Sequence, residues 1–296
     1  MTNVLEAHEL GKRYRGRWAL RDCTLSIPAG SVVGLVGPNG AGKTTLLHLT
    51  TGLIKPTAGT VEVVGGRPAG NRSQLAKVGF VAQDTPLYAA MSIADHLRLG
   101  AHLNRGWDGR FALDRVERLG LDPRSRVGRL SGGQRAQIAL TMAIAKTPRI
   151  LILDEPVAAL DPLARREFVE GLLDAVAAYE MSVLLSSHLI SDLEVACDHL
   201  IVLADGRVQL AGKVDGLLHD HRRLTMVGPH PGQLPHEGEV ISFRRTDRQT
   251  TAVVRSQAPW HDTGWTVSQV DLEELVLTYM NRAVEARARR AEEAAT

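Results

Sequence analysis

The chain has 296 residues, 44% of them hydrophobic and 23% charged, a length that suggests two domains and a composition ordinary for a globular protein. Lys plus Arg number 35 against 33 Asp plus Glu, a formal charge of +2, too balanced to imply a polyanion partner from charge alone. The two cysteines, Cys23 and Cys197, lie far apart, which excludes a disulfide scaffold and a zinc cluster and fits a reducing compartment.

Residues 1–10 hold two Glu and no apolar core, unlike a signal peptide. They are followed by expected strands at 4–10, 20–27 and 31–36, the last a short apolar run of the kind buried on both faces of a sheet. The longest uncharged run, Cys23 to Gly42, is broken by Pro28, Pro38 and five glycines and cannot be a membrane helix, so any membrane role is expected through a partner. A helix is expected at 44–53, with Leu46, Leu47, Leu49 and Leu53 at helical spacing. Strands at 59–64 and 78–82 follow, and from residue 92 to 147 the pattern turns helical. An apolar strand at 150–153, a helix at 162–179, a strand at 182–186 and a helix at 191–197 come next. Strands at 200–204 and 207–211 flank Asp205-Gly206, the chemistry of a hairpin turn.

Near Val214 the character changes. Residues 228–238 hold three prolines and three glycines and read as a linker or loop. Short strands are expected at 240–243, 250–255 and 266–270. Asp271 with Glu274 resembles a capping box, and Leu272, Leu275, Val276, Tyr279, Met280, Ala283 and Val284 make the apolar face of a final helix. The tail after Arg287, all Ala, Arg and Glu until the last residue, reads as a frayed end or disorder.

The chemistry begins at Gly37-Pro38-Asn39-Gly40-Ala41-Gly42-Lys43-Thr44, which fits the phosphate-binding pattern G-x-x-x-x-G-K-[ST] between a strand and a helix. Glycines let backbone N–H groups turn inward around phosphate oxygens. Lys43 is expected to reach the β- and γ-phosphates and Thr44 to hold Mg²⁺, with Thr45 beside it in the nucleotide site. Ile150-Leu151-Ile152-Leu153-Asp154-Glu155 supplies a carboxylate at a strand end. Asp154 is expected to orient Mg²⁺, and Glu155 to act on an attacking water as general base.

The long insert between these halves contains Leu130-Ser131-Gly132-Gly133-Gln134 before a helix. Here the sequence resembles the ATP-binding cassette (ABC) ATPases, whose signature motif this pentapeptide is. The resemblance implies that Ser131, Gly132, Gly133 and Gln134 face ATP held by a second subunit, where a helix N-terminus with bare amides favours an anion. It implies that Gln83 is the glutamine that meets Mg²⁺ and water, that Asp161 of Leu160-Asp161-Pro162 crosses a dimer interface, and that His188 is the switch histidine at the γ-phosphate. Asp161 before Pro162 is also a good helix start. Tyr14 matches the aromatic that stacks on adenine, though nearby Trp18 could do so. One departure is Val157-Ala158-Ala159-Leu160, where many relatives carry a small hydroxyl residue.

The resemblance covers about residues 3–213. It implies an α/β fold, a P-loop NTPase core of the ABC ATPase type with a β-subdomain and a helical subdomain (about 85–147). Residues 214–296 are expected to be a small α+β accessory domain that performs no catalysis. One phosphate loop and one signature in the chain imply a head-to-tail dimer, with a second copy or a paralogous ATPase subunit, sandwiching ATP and Mg²⁺. A separate transmembrane permease is implied, with the chain cytoplasmic and peripheral on the inner face of the plasma membrane. Residues 270–280 look like the end of ATPases in two-component exporters, which favours export over uptake. The rival reading is a soluble ABC-type ATPase acting on ribosomes or DNA. Against it, ribosomal relatives usually carry two cassettes per chain, and DNA-repair relatives carry coiled coils or zinc inserts. Lys12, Arg13, Arg15, Arg17 and Arg21 could meet nucleic acid, but fit a solvated loop beside a triphosphate better, and no nucleic-acid partner is expected.

Overall fold

The computed structural model describes residues 2–158, 160–228, 238–256 and 264–293. The chain opens with β1 (Asn3–Tyr14) and β2 (Arg17–Pro28), then β3 (Val32–Val36) and α1 (Lys43–Thr51). β4 (Ala58–Val63), α2 (Arg72–Ala76) and β5 (Val78–Val81) lead to α3 (Ile93–Leu103), α4 (Gly109–Arg118) and α5 (Gly132–Ala145). Next come β6 (Ile150–Asp154), α6 (Pro162–Tyr179), β7 (Ser182–Ser187), α7 (Ile190–Ala196), β8 (His199–Ala204) and β9 (Arg207–Lys213). The remainder is α8 (Val214–Asp220), β10 (His221–Val227), β11 (Glu239–Arg245), β12 (Gln249–Arg255), β13 (Thr266–Gln269) and α9 (Leu272–Glu293).

The central sheet has the order β5-β6-β7-β3-β8-β9, parallel except for β9, which pairs antiparallel with β8. β3 and β6 are buried along their whole length, as continuous apolar runs in a parallel sheet should be. Parallel strands deliver their following loops to one edge, where ligands bind in open α/β sheets. The register fixes which loops meet: Val36 lies opposite Ser187, and Asp154 opposite Ser186. A second, antiparallel sheet of order β2-β1-β4 packs over α1. Leu46, Leu47 and Leu49 share one core with Leu5 and Leu20 of that sheet and with Leu35, Ile152 and Leu184 of the central one. Each such leucine, fully withdrawn from water, contributes about 1.5–3 kcal/mol, which clamps the start of α1 between two sheets. The helices α3 to α5 form their own small core around Ile93, Leu97, Val116 and Ile138.

The sequence pattern misses α2 and falls short in three further places. β1 and β2 run beyond the strands expected at 4–10 and 20–27 and join in a turn at Arg15 and Gly16, both at positive φ (44° and 89°). Neither α8 nor β10 is visible as a pattern. β10 begins His-Arg-Arg, which hides its alternation, and pairing with β12 on one side and β13 on the other makes it a strand. The tail expected to fray is helical as far as Glu293. Ala, Arg and Glu are strong helix formers, and Arg290 is tied across to Asp205.

The last four strands make an antiparallel sheet of order β11-β12-β10-β13. At the head of α9, Asp271 accepts from the Glu274 N–H at 2.7 Å, the first half of the expected capping box. The Glu274 carboxylate instead pairs with Arg223 at 3.3 Å. Leu272, Leu275, Val276 and Tyr279 join one core with Leu193, Leu200, Val202, Leu210 and Ile241. The terminal helix thus packs on both α7 and the central sheet and on β11. The expected linker, from 229 to 237, and residues 294–296 lie outside the described residues.

Candidate functional site

β3 brings the chain to the sheet edge at Gly37. A Cβ there would lie 2.1 Å from the Leu203 carbonyl oxygen, so only glycine lets the loop pass so close to the end of β8. The loop then folds over itself, with the Ala41 N–H donating to Pro38 O at 3.0 Å. Gly42 takes φ 105° before α1 starts at Lys43, a conformation that penalises a side chain. Pro38, Asn39, Gly40 and Thr44 are exposed, and Thr45 is half-buried. The free amides at the head of α1 and its dipole favour an anion here.

Lys43 is buried, yet its Nζ has two partners. It donates to Gly37 O at 2.8 Å and lies 3.3 Å from Glu155 Oε1. The other oxygen of Glu155 is 3.3 Å from His188 Nδ1. Three side chains far apart in the chain, from α1, the turn after β6 and the turn after β7, therefore meet at one point. A carboxylate held between an ammonium and an imidazole can accept a proton and pass it on.

Asp154 is the buried last residue of β6, and Glu155 follows at φ 46°, a left-handed conformation that costs a non-glycine residue about 1–3 kcal/mol. Ser186 holds the pair. Its Oγ accepts from the Glu155 N–H at 2.8 Å and its hydroxyl donates to Asp154 Oδ1 at 2.8 Å. Sequence reasoning passed over Ser186. The available signal was a hydroxyl inside an apolar strand, Leu184-Leu185-Ser186, which is costly to bury without partners.

The other expected residues divide. Gln83 lies exposed in the turn after β5, two residues beyond the Val81–Leu153 pair and so at the same sheet edge. Ser131 caps α5 in a full capping box: the Gln134 N–H donates to its Oγ, and its own N–H donates to Gln134 Oε1. Ser131 and Gly132 are exposed. Among the described residues, no hydrogen bond or ion pair joins Ser131–Gln134 to Lys43, Glu155 or His188. A Cβ on Gly133 would come within 3.0 Å of Ala164 Cβ, so the signature segment leans on the start of α6. Asp161 caps that helix, accepting from the N–H groups of Leu163 and Ala164 at 3.0 Å. Val157 is buried in the main core, and Ala159 lies outside the described residues.

Beside the loop lies a cavity of about 480 Å³ lined by Pro38 to Ala41, Trp18, Asp205 and part of α9. Trp18 belongs to its lining and Tyr14 does not. Arg13 lies over the Trp18 ring, 6.0 Å from its centroid, and Lys12 over Tyr14 at 5.2 Å.

Comparison with known proteins resolves what family this geometry serves. The model of the ABC transporter family matches residues 20–158. Over 220 residues the chain is 32% identical to the uncharacterized ABC transporter ATP-binding protein YxlF of Bacillus subtilis, covering 72% of each. The chain belongs to the ABC transporter ATP-binding family. It is also 30% identical over 215 residues to the lantibiotic transport ATP-binding protein SrtF of Streptococcus pyogenes, covering 72% of this chain and 92% of that one. With the aliphatic sulfonates import ATP-binding protein SsuB of Cupriavidus necator it shares 34% over 214 residues, 71% of this chain and 69% of that one. Among solved structures, an ATP-binding subunit of an ABC transporter superposes with a TM-score of 0.65 at 29% identity, covering 72% of this chain and 91% of that one. A dimeric ATP-binding cassette in a post-hydrolysis state with ADP and Pi gives 0.64 at 25% identity, covering 71% and 98%. The protein is thus an ABC-type ATPase with the α/β P-loop NTPase fold, and it binds and hydrolyses nucleotide. Its relatives include both an importer and a lantibiotic transporter.

Proposed function

We propose that this chain drives substrate export through a separate membrane permease by hydrolysing ATP in a head-to-tail dimer. The observation that supports its catalytic part is the meeting of Lys43, Glu155 and His188 at the phosphate loop. In this reading Lys43 binds the β- and γ-phosphates. A triphosphate offers Lys43 a stronger anionic partner than Glu155, and the released carboxylate turns to the attacking water as general base. His188 contacts the γ-phosphate and holds Glu155 in place.

Among the described residues no group of three or more His, Cys, Asp or Glu side chains could hold a metal alone. Mg²⁺ carried with a nucleotide needs less, because phosphates and waters complete its shell. The Thr44 hydroxyl and the Asp154 carboxylate, with Gln83 at the same edge, are a hard-oxygen set suited to it. Mg²⁺ would neutralise charge on the β- and γ-phosphate oxygens.

Ser131, Gly132, Gly133 and Gln134 are assigned to the nucleotide of the opposite chain, because they are presented outward at a capped helix start, and Asp161 to the dimer seam. Trp18 is favoured over Tyr14 for the adenine, because it shares a cavity with the loop. Residues 1–213 are taken as the cassette and 214–296 as an accessory domain. No helix of the described residues is long and apolar enough to cross a membrane, which fits a peripheral subunit docked on a permease. Export is favoured by the likeness of residues 270–280 to exporter ATPases.

The test is Glu155→Gln. Hydrolysis should fall by roughly 10²–10⁴-fold, the usual worth of a general base, while nucleotide binding persists and ATP traps a dimer seen by size exclusion. Wild-type turnover in the variant would assign the base elsewhere. Export is tested by co-expression with a permease subunit that co-purifies with this chain and transport into inverted vesicles; accumulation only in right-side-out vesicles would reverse the direction.

A further inference from the structure

α9 is 22 residues long, about 33 Å at 1.5 Å per residue. Its last buried anchor is Ala283, and beyond it the described side chains are exposed apart from half-buried Ala286. A helix continuing ten residues past its anchor, to Glu293, would fray without another hold, because isolated helical turns are marginal in water. The hold is on one face. Ala283, Arg287 and Arg290 recur at i, i+4 and i+7, and Arg290 Nη2 lies 2.7 Å from Asp205 Oδ2 while Arg287 Nε lies 3.8 Å from Asp205 Oδ1. On an independent solvated helix these arginines would be left to neighbours on the helix itself, as Arg289 is with Glu285.

Asp205 is a fixed landing point. With φ 50° at Asp205 and 69° at Gly206, the turn between β8 and β9 has the primed hairpin geometry. The Gly206 carbonyl accepts from the Arg21 N–H at 2.8 Å, which pins the turn to β2 beside the phosphate loop. The clasp therefore brings α9 to the mouth of that loop. Ala283, Val284 and Arg287 line the same 480 Å³ cavity as Trp18 and Pro38 to Ala41. Val284 is 62% exposed and Trp18 41% exposed, two large apolar side chains left open on one cavity that also touches Pro38 to Ala41, the first half of the loop. Apolar walls with a few polar groups suit a planar base with phosphates attached.

We propose that residues 283–290 of α9 form one wall of the nucleotide site, so that docking of the C-terminal helix and binding of nucleotide strengthen each other. The proposal rests on the reading of residues 37–44 as the phosphate cradle. By linkage, a nucleotide that touches the docked helix holds it down, and a loosened helix weakens the nucleotide.

The experiment is fluorescence titration of the full chain with a mant-labelled ATP and Mg²⁺, using the wild type, Val284→Glu, Asp205→Asn and Lys43→Ala. Val284→Glu replaces an exposed residue, so its unfolding curve should match the wild type. The dissociation constant should rise about tenfold or more, since a charged carboxylate replaces part of the apolar wall offered to the base and repels an anionic ligand. Asp205→Asn, which removes both ion pairs, should weaken binding in the same direction, the loss of the docked wall exceeding the gain from lifting a carboxylate out of the cavity. In the unsubstituted protein, amide hydrogen exchange over residues 283–290 should slow when nucleotide is added. Unchanged affinity in Val284→Glu and Asp205→Asn, with binding lost in Lys43→Ala, would overturn the wall while leaving the cradle standing. Undiminished binding by Lys43→Ala would overturn the cradle and the wall with it. Protection of residues 283–290 that follows protein concentration and ignores nucleotide would give the cavity to a second copy of the chain and overturn the proposal.

Discussion

Replacing Ser186 by alanine removes two bonds at once. Ser186 is fully buried, and its hydroxyl bridges the Asp154 carboxylate and the Glu155 N–H, each at 2.8 Å. Losing a hydrogen bond to a charged group costs roughly 1.5–3 kcal/mol, and stranding a buried N–H roughly 1–3 kcal/mol. The two losses share one site and do not add fully, so a fall in unfolding free energy of about 2–4 kcal/mol is expected. The second effect is on rate. Glu155 holds a left-handed backbone at φ 46°, and the bond to Ser186 is part of what keeps it there. Released, the residue relaxes, and displacement of a reacting group by about 1 Å can cost roughly 10²-fold. Turnover should therefore fall by about 10- to 100-fold, with nucleotide affinity little changed because Lys43 and the loop keep their bond to each other. Urea unfolding with linear extrapolation reads the first quantity, and steady-state phosphate release beside a nucleotide titration reads the second. A variant within about 0.5 kcal/mol of the wild type, the range of an ordinary surface change, and hydrolysing at the same rate would refute the bridge as the device that sets Glu155.

His221 should give the protein an acid-side stability slope. It is fully buried, with Nδ1 2.6 Å from Leu217 O and Nε2 2.9 Å from the Tyr279 hydroxyl, and burial, helped by Arg255, lowers its pKa from 6.5. The unfolded chain then binds the proton first, so stability is full above about pH 6.5 and falls by up to about 1.4 kcal/mol per pH unit until the folded value is passed. Urea unfolding against pH should show this, and His221→Gln should flatten it; equal slopes in the two proteins would contradict the assignment. For the composite dimer, Ser131→Cys paired with Asn39→Cys should give an ATP-enhanced disulfide between chains, read on a non-reducing gel, and a bond formed only within one chain would refute the arrangement. Burial raises the thiol of Cys23 and pushes that of Cys197 up to about 12, so neither native cysteine competes as a thiolate.

The phosphate loop was legible because its chemistry is local. Glycines at 37, 40 and 42, a lysine and a threonine between an apolar strand and a helix dictate one backbone path over eight residues. The buried strand at 150–153 declared itself by a continuous apolar run, and the order of the motifs along the chain was enough to bring the family resemblance to Gln83, Ser131, Asp161 and His188. The final helix could be read from its apolar face, though its partner could not.

What the tertiary structure alone decided are contacts between residues distant in sequence. Ser186 gains its role only because β7 lies beside β6 in a register that sets it opposite Asp154. β10 is a strand because β12 and β13 offer it main-chain partners, which outweighs a sequence begun by His-Arg-Arg. The end of α9 looked like a tail because its side chains are charged and small. It is held by one carboxylate, Asp205, some eighty residues earlier, and no local pattern encodes that pairing. Periodicity reports which face of an element leaves water, and local turn chemistry reports where the chain bends. Which surfaces meet is set by the packing of the whole chain, and the wall that α9 gives the phosphate-loop cavity belongs to that second kind of information.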